Sequence, residues 1–286
     1  MRCFVLPSDC ARHGRHKLTG SHFHYLCRVR RYRAGATFAA TDGNGTRYRC
    51  KVLEVNPRHC IIETGPDPAV DHVPTAAAPA ADRLSASASL EARSPAAARV
   101  SPDAGAVHLT LYQALPKGRK LDQIIRQATE AGVSHIVPFT SRNCVAEPPD
   151  ARRLQAKVDR WRAIAREAVQ QSGRTVVPQI DAPIALQQFP DLRPGSAVGL
   201  LFHQEPLAQQ TLHEYLRPGP SSVLIAVGAE GGFTRPEVEY LCTERGFQPA
   251  FLGATVLRTE TAALYAVAAV QTILREIEAW NRSWPT

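Results

Sequence analysis

From residue 107 onward the chain alternates short apolar runs with amphipathic stretches, and that alternation restricts the possible folds more than any other feature. Residues 107–115, 133–139, 198–202, 223–227 and 247–252 have the length and apolar content of buried strands. Between the first two, 121–131 places Leu121, Ile124, Ile125 and Ala128 on one helical face and stops at Gly132. Residues 151–171 form a longer amphipathic helix ended by Gly173. Leu154, Val158, Trp161, Ala165, Ala168 and Val169 make its apolar stripe, and basic residues cover much of the rest. Thr234-Arg235-Pro236-Glu237 is a helix start, with a Thr cap, an early Pro and a Glu three residues on, and that helix ends near Gly246. A last helix starts at Thr259 or Thr261 and runs to about residue 280. Strands and helices in this order give a mostly parallel sheet with helices on both faces.

The first 65 residues follow a different pattern. They read as short strands over 18–29, 36–41 and 47–55, with Ile61 and Ile62 closing the series. Asp42-Gly43-Asn44-Gly45 is a hairpin turn, because these residue types tolerate positive φ. A small β-barrel or sandwich is expected. Residues 66–106 then hold 14 Ala, 6 Pro and 5 Ser among 41, with no aromatic residue. Such a segment buries too little surface to offset its ordering entropy and is expected to be a flexible linker or insertion. Three segments result: 1–65, 66–106 and 107–286.

The length of 286 residues and 44% hydrophobic content suit one large or two modest domains. No run of about 18 uncharged apolar residues exists, so no membrane span is expected. The opening Met1-Arg2-Cys3-Phe4-Val5-Leu6-Pro7 turns polar too soon for a signal peptide. Seven scattered cysteines without a Cys-x-x-Cys pair point to reduced thiols, hence a cytoplasmic protein without a disulfide framework or zinc site. His13, His16, His22 and His24 have no nearby cysteine or acidic partners, and no metal is expected.

Net charge is +8, and its distribution is uneven. Residues 1–60 carry 12 Lys/Arg against 3 Asp/Glu, whereas 61–286 carry 22 against 23. A small basic module on a near-neutral body points to a polyanionic partner, nucleic acid first.

Two loops follow apolar strands and precede helices. Gly228-Ala229-Glu230-Gly231-Gly232 is neither a P-loop nor the dinucleotide fingerprint. The second runs from Leu252-Gly253 through Arg258, Thr259, Glu260 and Thr261 to Ala262. In an open α/β sheet, ligands bind at the carboxyl ends of strands, and glycines there admit close backbone approach. Two such loops in one domain favour a shared pocket over plain turns.

Taken together, Gly228–Leu241 and Leu252–Ala262 resemble the SPOUT-class methyltransferases that modify 16S ribosomal RNA at uridine N3 (RsmE type). Upstream, Ala114-Leu115-Pro116-Lys117-Gly118, Glu130-Ala131-Gly132-Val133, Ser141-Arg142-Asn143-Cys144 and the run from Glu167 to Arg174 are similar to the same pattern, as is His24–Arg30. The likeness covers the chain apart from 66–106. The family has Pro where Ala229 stands, which leaves this loop less rigid, and 66–106 is longer than the usual connection.

The resemblance implies an N-terminal PUA-like RNA-binding β-barrel and a C-terminal trefoil-knotted sheet, a homodimer, and S-adenosylmethionine as cofactor. The knot comes from resemblance alone, since patterning cannot reveal it. The final helix, apolar on most sides from Ala262 to Ile277, suits burial against both its own sheet and a partner. Leu252, Gly253 and Leu257 would hold the adenine. Gly228, Ala229, Glu230, Gly231 and Gly232 would approach the ribose and methionine, Leu201 and Phe202 would form a wall, and Arg258, Thr261 and Ala262 would complete the cofactor pocket. Methylation at N3 requires loss of a proton with a pKa of about 9. Arg258 would stabilise the resulting anion, and Glu230 or Glu260 would take the proton or orient Arg258. Arg28, Arg30, Arg31, Arg33 and Lys51 are candidates for phosphate contact, and Asn143, Gln171 and Arg174 for the target base. The expected partner is 16S ribosomal RNA or the small subunit. Rival readings are a ribose 2′-O-methyltransferase of the same class, a non-catalytic RNA-binding assembly protein and, more distantly, a small-molecule nucleotide enzyme.

Overall fold

The computed structural model describes residues 3–67, 107–144, 151–193, 195, 197–207 and 210–283. The expected flexible stretch 66–106 therefore lies outside the described residues, except at its first two positions.

The N-terminal sheet is built from β1 (Phe4–Val5), β2 (Gly14–Thr19), β3 (Thr37–Thr41), β4 (Arg47–Val55) and β5 (His59–Pro66), in the order β1-β3-β4-β5-β2. Its pairings are antiparallel except for β1 with β3. Strand alternation sorts the side chains of β4. Tyr48, Cys50 and Val52 enter a core with Phe4, Leu18, Phe38 and Ile62, while Arg49 and Lys51 point to solvent.

Residues 18–29 are not a continuous strand. After β2 the chain turns at Gly20 (φ +56°) into α1 (Gly20–Phe23), which continues as wider helical turns over His24–Val29. A strand would have put His22, His24 and Leu26 on one face, yet only Leu26 of these is buried. Phe23 and Leu26, three residues apart, enter the core together, as helical spacing dictates.

The second domain holds β6 (His108–Ala114), α2 (Lys120–Glu130), β7 (His135–Thr140), α3 (Ala151–Ser172), β8 (Gln179–Ile180), β9 (Ile184–Ala185), β10 (Val198–His203), α4 (Leu212–Leu216), β11 (Ser222–Val227), α5 (Arg235–Glu239), β12 (Gln248–Phe251) and α6 (Thr259–Ser283). The sheet order is β12-β10-β11-β6-β7-β8, with β9 also paired to β7, and every pairing is parallel. The apolar runs thus became strands within a residue or two of their expected bounds. The two-residue strands β8 and β9 are too short to show periodicity and were missed.

Both faces of this sheet are covered. Val223, Ile225 and Val227 of β11 face one core with Leu200 and Phe202 of β10 and residues of α2, α3 and α6. Leu224 and Ala226 face the other with Leu201, Phe189, Leu241 and Phe247. Because all strands run one way, the loops after β6, β10, β11 and β12 emerge at one edge. Strand order reverses between β6 and β11, where a crevice opens in such sheets.

The two domains touch through the turn after β3. Thr41 Oγ1 donates to Thr175 O at 2.8 Å and Val177 N–H donates to Gly43 O at 2.8 Å. Gly43 sits at φ +84°, where a Cβ would also press on Val177 Cγ2 at 3.2 Å. The expected hairpin turn therefore doubles as a docking point. The described residues contain no helix long and apolar enough to cross a membrane and no cluster of three metal-ligating side chains.

Candidate functional site

The loop after β11 is a tight turn fixed from several sides. Gly232 N–H donates to Ala229 O at 2.9 Å, and Gly232 adopts φ +64°. A Cβ on Gly228 would meet the Gly232 backbone at 3.0 and 3.1 Å, so the turn closes this tightly only with glycine. From outside, Asn143 Nδ2 donates to Gly231 O at 2.8 Å and Gly232 O at 3.2 Å. The following helix is capped as expected. Glu237 Oε2 accepts from Thr234 N–H and Oγ1–H, both at 2.8 Å. Glu237 Oε1 also accepts from Arg142 N–H at 2.8 Å, which draws the 141–144 loop toward the glycine turn.

A buried polar floor joins this turn to the start of α6. Thr259 Oγ1 donates to Gly228 O at 2.7 Å and accepts from Gln113 Nε2 at 3.0 Å. Gln113 Nε2 also donates to Ala114 O at 3.0 Å and lies 3.4 Å from Gly228 O. Gln113 is fully buried and its Oε1 has no hydrogen-bond partner among the described residues.

At the rim, Lys120 Nζ lies 2.8 Å from Glu230 Oε1 and 3.5 Å from Glu260 Oε2. Glu230 also accepts from Lys117 N–H at 3.2 Å. Burial tends to raise the Glu230 carboxyl, but the Lys120 ammonium and backbone N–H groups outweigh it and hold the carboxyl below the ordinary range. The same contact with Glu230 raises Lys120. Arg258 is exposed, and no ion pair or side-chain hydrogen bond of its guanidinium occurs among the described residues.

Between these walls lies a cavity with about 600 Å³ of atom-free space, open to solvent. Phe202, Val227, Leu252, Leu257 and Ala262 give it an apolar lining, and backbone of Gly228, Gly232 and Gly253 contributes polar groups. Its lining, mostly apolar with a few convergent backbone groups, has the character of a small-molecule site.

Comparison with known proteins decides the family. Residues 104–271 match the model for the RNA methyltransferase domain, well over half of the chain. The chain belongs to this RNA methyltransferase family. Residues 18–64 match the RNA methyltransferase PUA domain, which covers α1, β3, β4 and most of β5 of the N-terminal domain. The chain is similar to a protein named ribosomal RNA small subunit methyltransferase E from Synechocystis sp., 29% identical over 90% of this chain and 73% of that protein. It is 35% identical to the protein of the same name from Bacillus subtilis over 57% of this chain, a match spanning 65% of that relative. Among solved structures, a ribosomal RNA small subunit methyltransferase E from Neisseria gonorrhoeae bound to S-adenosyl methionine aligns with TM-score 0.72 at 26% identity, covering 96% of this chain and 98% of that one.

Within the methyltransferase domain, nine of the expected cofactor residues line one cavity: Phe202, Gly228, Ala229, Glu230, Gly232, Leu252, Gly253, Leu257 and Ala262. Four do not. Leu201 faces the opposite core, since neighbouring residues of a strand point to opposite faces. Gly231 is exposed and turned toward Asn143, and Thr261 and Arg258 are exposed at the rim. The cavity also takes His203, Gln204, Val227, Thr255, Val256 and Thr259, which the sequence reading did not select.

Of the three residues expected at the target base, Arg174 has another position. Arg174 is only 4% exposed, and its Nη1 donates to Thr129 O and Val133 O, both at 2.8 Å, where it holds the chain just after α2. Such a guanidinium is structural and out of reach of a base, which corrects the expectation. Asn143 is committed to the glycine turn. Gln171 instead lines an open cleft between the domains with His22, Tyr25 and Arg166. In the PUA domain, Arg28, Arg31, Arg33 and Lys51 are exposed, and Arg30 donates to Tyr32 Oη at 3.1 Å. Beyond the cavity lining, sequence reasoning also missed Lys120 and Gln113, which with Thr259 tie the site together. Their positions at the carboxyl end of β6 and just after the loop that follows β12 were the available signal.

Proposed function

We propose that this protein transfers the methyl group of S-adenosylmethionine to N3 of a uridine in 16S ribosomal RNA, and that the N3 proton leaves to solvent. The names of its relatives, the cofactor in the gonococcal structure and the basic PUA domain support the reading. The residues fit the cofactor: an apolar slot between Phe202, Leu252, Leu257 and Ala262 suits adenine, and the Gly228–Gly232 turn admits ribose and methionine. Bound there, the cofactor supplies an electrophilic methyl group. This chain's part is to hold it and to stabilise charge on the acceptor base.

The observation that carries the mechanism is that both rim glutamates face Lys120 while Arg258 stays unpaired. Proton transfer from uracil N3, pKa about 9, to an ordinary glutamate near 4.3 is uphill by about 6 kcal/mol. Glu230, held lower still by Lys120, is a weaker base than an ordinary glutamate. Ionising N3 into water at pH 7 costs only about 3 kcal/mol, which one well-placed cation offsets. Arg258 is therefore the catalytic group, acting on the O2/N3/O4 anion. Arg28, Arg31, Arg33 and Lys51 supply phosphate contacts, which add affinity rather than sequence choice.

A homodimer also fits. Val256, 73% exposed at the cavity, and Tyr265, 53% exposed on α6, leave apolar surface uncovered. Arg258→Ala should fold and bind cofactor yet lose about 100-fold or more in methyl transfer. Wild-type rate in that variant would refute the role. Mass spectrometry of modified RNA nucleosides should show N3-methyluridine, and a 2′-O-methyl product would overturn the target.

A further inference from the structure

Three loops meet at one ammonium. Lys120 begins α2, whose Leu121, Ile124 and Ile125 are buried in the core, so its backbone is rigid. Its Nζ is 2.8 Å from Glu230, on the loop after β11, and 3.5 Å from Glu260, on the first turn of α6. Lys117 N–H, in the loop before α2, reaches the same Glu230 carboxylate at 3.2 Å. That carboxylate thus sits at the amino end of α2, where the helix dipole also favours an anion. Glu260 Oε2 is buried and accepts no hydrogen bond among the described residues, where Lys120 is the cation paired with it. Arg258 precedes Glu260 by two residues and has no ion pair to break before turning to it.

Resting on the methyl-transfer reading above, we propose that Lys120 is a positioning residue. It occupies Glu230 and Glu260 and so keeps both carboxylates off Arg258, whose guanidinium stays free for the substrate base. Without Lys120, two neighbouring carboxylates would face each other with no cation between them, and Arg258, two residues from Glu260, is the cation closest to it in sequence. A guanidinium paired to Glu260 inside the protein would no longer stabilise an anion on the base. The apolar part of the cofactor slot, Phe202, Leu252, Leu257 and Ala262, does not include Lys120 or its partners and would persist.

The test compares Lys120→Met, Lys120→Arg and Lys120→Met/Glu260→Gln in the full-length protein. S-adenosylmethionine affinity is measured by calorimetry, and transfer to 16S RNA at saturating substrates. Lys120→Met should bind cofactor within about threefold of wild type and lose at least tenfold in kcat. Lys120→Arg should keep most of the rate, and Glu260→Gln in the Met background should recover a large part of it. A Lys120→Met enzyme at wild-type kcat overturns the proposal. So does a loss confined to cofactor affinity, or a rate that neither Arg nor the second substitution restores. Wild-type protein that methylates no RNA would instead defeat the functional reading on which the proposal rests.

Discussion

Removing the Thr259 hydroxyl while keeping its shape, by Thr259→Val, tests whether the polar floor under the cavity holds the site together. Thr259 is 4% exposed. Its hydroxyl donates to Gly228 O at 2.7 Å and accepts from Gln113 Nε2 at 3.0 Å. Two buried neutral hydrogen bonds contribute about 1 kcal/mol each, and leaving a partner unsatisfied adds about 1 kcal/mol or more. Gly228 O retains only the long 3.4 Å contact with Gln113, whereas the Gln113 amide keeps Ala114 O at 3.0 Å. The expected loss is therefore about 2–3 kcal/mol, less than the sum of two fully orphaned groups. Urea unfolding followed by tryptophan fluorescence measures it. Trp161 is buried in the core of the second domain, and no tryptophan precedes residue 107. With a slope of about 2–3 kcal/mol/M, the midpoint should fall by about 1 M. Thr259→Ser keeps the hydroxyl and should cost less than about 1 kcal/mol. A Val variant within about 0.5 kcal/mol of wild type, or a Ser variant as damaged as the Val one, would refute the hydrogen-bond argument.

Two further outcomes follow from the same geometry. Gly228→Ala forces the Gly232 backbone aside by a few tenths of an ångström, so stability should drop by about 1–3 kcal/mol and cofactor affinity should fall, as calorimetry would show. Glu230 has a folded-state pKa below its unfolded value, so its contribution is fully present above the unfolded pKa and fades as pH falls through the folded one. Glu230→Gln should accordingly be less stable than wild type at pH 6 and flatter in stability below pH of about 4, as acid titration of the unfolding midpoint would show.

The sheet domain was legible because its signals are local. Apolar runs, the Gly132 and Gly173 stops and the Thr234–Glu237 cap each depend on residues a few positions apart. The cavity was half legible for the same reason: both loops lie at strand ends, and a parallel sheet brings those ends together. Leu201 failed on a rule that was in hand, since it and Phe202 cannot face one side of a strand. Residues 18–29 failed because the alternation of His22, His24 and Leu26 imitates a strand, and only packing shows that Phe23 and Leu26 share a face.

By itself, the sequence determined the class of architecture, the basic first domain and the two glycine loops, because backbone preference and hydrophobic period act over a few residues. Only tertiary structure decided the strand order, the burial of Arg174 and the cross-ties of the site. Lys120 meets Glu230 across 110 residues and Gln113 meets Thr259 across 146. Nothing within either segment encodes its partner. Side chains that distant are brought together by strands pairing β6 beside β11, and that pairing is settled by burial of the whole sheet between two layers of helix and loop.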